Sequence, residues 1–153
     1  MTLEDNKRVV RRFLEELFGA GNLNLLDELV APNAVHIPVN KATSYGWEPG
    51  REGFRQHVIW FHNAYADMHF TVDDLIAEGD RVVAFWTMGG THQGEFFGVR
   101  ATGRNVVFSA IGRLRVVSRQ VLEFQVHPDR LGILTQLGSL GRYSEQLAQA
   151  TTT

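Results

Sequence analysis

Six histidines (His36, His57, His62, His69, His92 and His127) are the side chains whose ordinary pKa lies nearest neutrality, so proton-transfer chemistry is sought among them first. The most suggestive pairing is near the end, where His127 and Asp129 flank Pro128 in the stretch VLEFQVHPDRLG, Val121–Gly132. A base with a carboxylate partner is one reading. The local pattern favours another. Residues 121–127 alternate as a strand, Pro128 stops it, and Asp129 stands where a helix N-cap belongs. Alternation puts Leu122, Phe124 and Val126 on an apolar face and Glu123, Gln125 and His127 on the other, an assignment that a one-residue bulge would reverse.

His92 shares its strand face with Trp86, Met88 and Gly90, and is a candidate for proton transfer; the competing role is to hold the hairpin that follows. His57 flanks the apolar stripe of a helix, with Trp60 almost one turn later. It is a plausible polar group in an otherwise apolar pocket, whose walls would include Trp60, Trp86, Met88, Phe108, Phe124 and Val126. No His-x-His or His-Glu-x-x-His occurs, and His57 and His62 are five apart, so no metal site is expected. Adjacent Asp73 and Asp74 point to opposite faces of a strand and cannot share a substrate. The glycines at 89, 90, 94, 98 and 103 lack the strand–loop–helix context of a phosphate loop.

These residues must be positioned by helices that come first and strands that follow. Val9, Val10, Phe13, Leu14, Leu17 and Phe18 recur at helical spacing up to Gly19. A second short helix carries Leu25, Leu26 and Leu29, capped by Asn22 or Asn24 and ended by Pro32. Residues 34–39 read as a short strand, 40–50 as a loop with Tyr45 and Trp47, and Phe54, Val58, Phe61 and Tyr65 as one stripe of a third helix. Strands are expected over 68–77, 81–92, 105–117 and 121–127, with a tight turn at Glu78-Gly79-Asp80 and a helix over Leu131 to Leu137. The tail after Leu147 is expected to fray. Helices followed by a meander mean α+β, in one domain over residues 1–153.

At 44% hydrophobic and 21% charged residues, the chain has the composition of a globular domain that can bury a core. A net charge of −2 gives no reason to expect nucleic acid or an acidic membrane as partner. The absence of cysteine excludes disulfides, thiolate catalysis and thiolate metal sites. No apolar leader or membrane-length segment is seen, so the expected location is the cytoplasm. Val83, Phe85, Ile111 and Val121 are apolar where a sheet would face water, which suggests a partner subunit.

Three segments resemble the SnoaL-like polyketide cyclase family of the nuclear-transport-factor-two-like superfamily: FLEELFGAGNLNLLDELVAPNAV (Phe13–Val35), MHFTVDDLIAEGDRVVAFWTMGGTHQGEFFGVRATGR (Met68–Arg104) and HPDRLGILTQLG (His127–Gly138). The similarity covers roughly residues 6–138, and its middle segment is the most specific. It implies a cone in which N-terminal helices and a curved antiparallel sheet enclose one deep apolar pocket, usually as a homodimer. It also implies cofactor-independent chemistry, typically intramolecular aldol closure of an apolar polyketide. The family's acid/base aspartate on the last strand aligns with Val126, and the polar slots beside it with Phe124, Gly112 and Ala110, none of which moves a proton. The resemblance further implies a polar residue near His36 at the pocket mouth; a histidine hydrogen-bonded at a strand edge is the plainer role. The expectation is therefore a cyclase or isomerase that uses His36 or His92, or that folds its substrate by shape alone. The alternatives are a non-catalytic binding or scaffold protein, and a dehydratase or epoxide hydrolase, which would need a buried carboxylate.

Overall fold

A computed structural model describes residues 1–40 and 45–151. Helix α1 (Leu3–Arg12) opens with a reciprocal capping box, Thr2 taking the Asp5 N–H while the Asp5 carboxylate takes that of Thr2. It runs into a π-helical turn over Phe13–Gly19 that buries Phe13, Leu14, Leu17 and Phe18. A 3₁₀ turn (Leu23–Leu25) and the short α2 (Leu26–Leu29) follow, and neither Asn22 nor Asn24 makes a side-chain cap. The chain then enters β1 (Val30–His36) earlier than the sequence suggested. Pro32 does not end a helix; it lies in an edge strand, where a missing N–H is tolerated.

Helix α3 (Arg51–Ala64) leads straight into β2 (Tyr65–Glu78), so Tyr65 starts a strand instead of finishing the helical stripe. β3 (Arg81–His92) and β4 (Asn105–Val117) have the expected bounds, β5 is Gln120–Pro128, and α4 is Arg130–Leu137. The tail continues as α5 (Leu140–Thr151); residues 152–153 of the region expected to fray, and 41–44 of the expected loop, lie outside the described residues. No helix among the described residues is long and apolar enough to cross a membrane.

The five strands form one curved, unclosed sheet ordered β1-β5-β4-β3-β2. It is mixed: β1 pairs parallel to β5, whereas the other pairs are antiparallel as expected. Val82, Ala84, Trp86 and Met88 of β3 face Leu114, Gly112, Ala110 and Phe108 of β4 on the concave side, which the helices cover. On β5, a bulge at Leu122 pairs Val121 with Val116 and Glu123 with Arg115. Val121 is therefore buried in the core and not on the outer face, while Phe124 and Val126 keep the inward orientation their alternation gave.

Asp129 caps α4, its Oδ1 accepting the Gly132 N–H at 2.9 Å, and His127 is exposed on the outer face opposite Ile111. The two do not form a catalytic pair. Asp129→Ala is expected to cost about 0.5–2 kcal/mol, the usual worth of an N-cap. Paired melting curves and turnover assays check it: turnover per folded molecule should hold, and loss of activity at an unchanged melting temperature would contradict the capping role.

Candidate active site

The concave face carries two adjoining hollows. The outer, of ≈ 280 Å³, lies between the end of β1, residues 45–49 and the inner residues of β5. The inner, with room for ≈ 30 Å³, is walled mostly by aromatic rings, with Leu14, Met88, Ala110, Val126 and Pro128 among them. His57, Tyr45, Phe124 and Val126 line both, so the two spaces meet at these side chains. Trp60, Trp86, Met88 and Phe108 line the inner chamber, so all seven side chains expected to contact substrate border one of the two spaces.

At the junction the structure brings two expected residues together. His36, at the end of β1, places Nε2 3.0 Å from Nδ1 of His57 on α3. The end of β1 is fixed by the Ile37 N–H, which donates to the Phe124 carbonyl at 2.8 Å. Gly50, with φ of 70°, turns the chain back against β1, where a Cβ would lie 2.5 Å from the Pro32 carbonyl, and so starts α3 beside the strand. The His36 ring stacks on Phe54 at 3.9 Å, and His57 lies between Trp47 at 5.1 Å and Phe61 at 4.9 Å, both nearly parallel to it.

Burial in this aromatic cage disfavours the charged imidazolium. It lowers the His36 pKa to about 4. It lowers that of His57 well below the usual histidine range, with the charge of His36 adding in the same direction. Both rings are neutral at pH 7. Of the facing nitrogens one donates and the other accepts, so whichever tautomer holds, the outer ends (His36 Nδ1 and His57 Nε2) comprise one acceptor and one N–H donor.

His92 is placed elsewhere. It is fully buried and lines neither hollow; its Nδ1 accepts the Thr102 N–H at 3.2 Å and lies 3.0 Å from the Thr102 hydroxyl. Burial lowers its pKa, against the pull of the Gly94 and Val99 carbonyls. The adjoining Gln93 and Gly94 N–H groups dock on the Ala64 carbonyl at the end of α3. Through Thr102, His92 holds the two ends of the β3–β4 connection together, and the backbone beside it docks that connection on the helix.

The slots implied for a polar acid are apolar in space as in sequence. Val126 and Phe124 face both hollows, Ala110 faces the inner one, and Gly112 makes room for the Trp86 indole, whose Cη2 would lie 2.8 Å from a Cβ there. Among the described residues no Asp or Glu is buried; exposed Glu48 is the carboxylate at the outer rim. Asp73 and Asp74 are exposed on β2, beside a register shift, and line neither hollow. No group of acidic or histidine side chains among the described residues is arranged to hold a metal. Tyr45, Trp47 and Arg130 at the rim were missed as site residues, although two aromatics in one short polar loop were a signal.

The SnoaL-like polyketide cyclase family model matches residues 8–137. The chain belongs to this family. Among its relatives, nogalonic acid methyl ester cyclase of Streptomyces nogalater is 28% identical over 123 residues, 79% of this chain and 89% of that one. Aklanonic acid methyl ester cyclase DnrD of Streptomyces peucetius is 31% identical over 90 residues, 58% of this chain and 62% of that one. The structure of TsrD from Streptomyces laurentii superposes with a TM-score of 0.81 at 26% identity, covering 92% of this chain and 99% of that one. In this family member β5 presents Phe124 and Val126 to the pocket, and His36, on the neighbouring strand, pairs in register with Phe124.

Proposed function

We propose that this SnoaL-like protein is a cofactor-independent cyclase that closes a ring in an apolar, polyketide-like small molecule by an intramolecular aldol step. The observation that carries the reading is the His36–His57 hydrogen bond at the junction of the two hollows. The basic outer nitrogen removes a proton from the substrate's donor carbon. The carbanion attacks the acceptor carbonyl carbon, a C–C bond forms, and the carbonyl π pair moves onto oxygen. That oxygen takes the proton from the other outer N–H, and the proton between the two rings shifts across, restoring a neutral pair in the opposite tautomer. No redox partner is needed, and the product is an isomer of the substrate.

Support comes from two relatives that are methyl ester cyclases by name, and from the predominantly apolar lining of the inner chamber. Nogalonic acid methyl ester and aklanonic acid methyl ester are the probe substrates. Turnover to an isomer with one new ring, unchanged after dialysis against a chelator, is the expected result. Absence of turnover with both probes and with simpler polyketide analogues would transfer the pocket to a binding or scaffold role.

We also propose a homodimer through the outer sheet face. Ile76 pairs with Val83 and Phe85 with Ile111 across neighbouring strands, an apolar row in which Ile76 and Ile111 are exposed by 56% and 45%. Sedimentation is expected to give a dimer at micromolar concentration, and a stable monomer there would count against the interface.

A further inference from the structure

We infer that the indole N–H of Trp86 is a hydrogen-bond donor to a carbonyl oxygen of the substrate, seated in the inner chamber. Trp86 is only 2% exposed, lines that chamber, and its Nε1 is buried with no partner in the protein. A buried donor left unpaired is costly, so a native fold keeps one where a ligand or ordered water completes it. The ring is held in place: its benzo edge lies over Gly112, and Phe70 and Phe124 are near parallel to it at 6.4 and 6.3 Å. The indole cannot turn elsewhere to find a partner without disturbing three strands.

The chamber's size selects the ligand group. Room for ≈ 30 Å³ admits one oxygen-bearing group or a single water. A carbonyl suits a lone donor better than water, because it accepts without needing an acceptor in return. The rest of the molecule then occupies the outer hollow, and His57, which lines both spaces, stands beside the bond between them. The inference rests on reading this pocket as the substrate site. It gives the substrate a direction: the acceptor carbonyl goes in first, where an N–H can stabilise the alkoxide that develops on its oxygen. Trp86 is then a substrate-contacting residue and not merely a wall.

The test uses α-tetralone and tetralin, two bicycles that differ by one carbonyl, and needs no turnover, so its failure is separate from failure of the cyclase reading. In ¹H–¹⁵N spectra the three tryptophan indole signals are assigned by Trp47→Phe, Trp60→Phe and Trp86→Phe. α-Tetralone is expected to move the Trp86 signal downfield, and tetralin is not. In Trp86→Phe the ratio of tetralone to tetralin affinity should fall by roughly 3- to 10-fold, the worth of one neutral hydrogen bond. Should that variant fail to fold, replacement of the indole by a benzothienyl ring keeps the shape and removes the N–H. Binding of tetralone without a downfield shift, an unchanged affinity ratio, or no binding at the solubility limit of tetralone would each overturn the inference.

Discussion

His57→Asn is expected to lower cyclisation turnover by about 10²–10⁴-fold, the usual contribution of a positioned acid or base. The asparagine oxygen can still accept a hydrogen bond from His36, so the strand end stays tethered, but it cannot take up one proton and release another. His36→Asn should cost a similar factor. The proposed relay makes the two rings one unit, so the double variant should lose little more than either single one, far less than the product of both losses. His92→Ala separates chemistry from support. Its bonds to Thr102 predict a lower melting temperature with turnover per folded molecule retained. Steady-state rates of the four variants on one probe substrate, normalised to folded protein, decide the matter. Full activity in His57→Asn would leave a pocket that works by shape alone.

What the sequence shows and what it hides divide along the range of the interactions. The edges of β3 and β4, the Asp129 cap and the inward placement of Phe124 and Val126 follow from alternation and capping within a few residues. The bulge at Leu122 was invisible, since a single extra residue leaves the strand's composition unchanged and yet carries Val121 into the core. The parallel pairing of β1 with β5 was equally hidden. It joins segments about ninety residues apart, and Pro32 marked an edge strand where it suggested the end of a helix. The same long-range pairing brings His36 up to α3, so two histidines legible as separate candidates become one hydrogen-bonded unit only in space. Trp47 follows the same logic: its stacking on His57 depends on the turn at Gly50, which places the loop over the helix.

The pair also predicts how the protein responds to acid. In the unfolded chain His36 titrates near 6.5; burial lowers its folded value to about 4. Above 6.5 both states are neutral and the native preference for the neutral ring counts in full. As the pH falls from 6.5 towards 4 the unfolded state binds the proton first, so stability is lost across that window. At about 1.36 kcal/mol per pH unit, His36 alone accounts for a loss of about 2 kcal/mol by pH 5 and about 3 kcal/mol by pH 4. His57 is shifted in the same direction and adds to it. The depressed carboxylates, Asp5, Glu28 and Asp80, titrate below this range, so measurements between pH 7 and 5 read the histidines. The His36 contribution should lower the melting temperature by about 4–8 °C over those two units, and His36→Asn should remove that part of the slope. Turnover below the melting transition behaves differently, since it follows the folded protein, in which His36 stays neutral until the pH nears 4 and burial shifts His57 in the same direction. It should hold between pH 7 and 5 while stability declines. A rate profile bending near 6.5, or a melting temperature level from pH 7 to 5, would show that the rings are open to water and not caged as the stacking on Phe54, Trp47 and Phe61 requires.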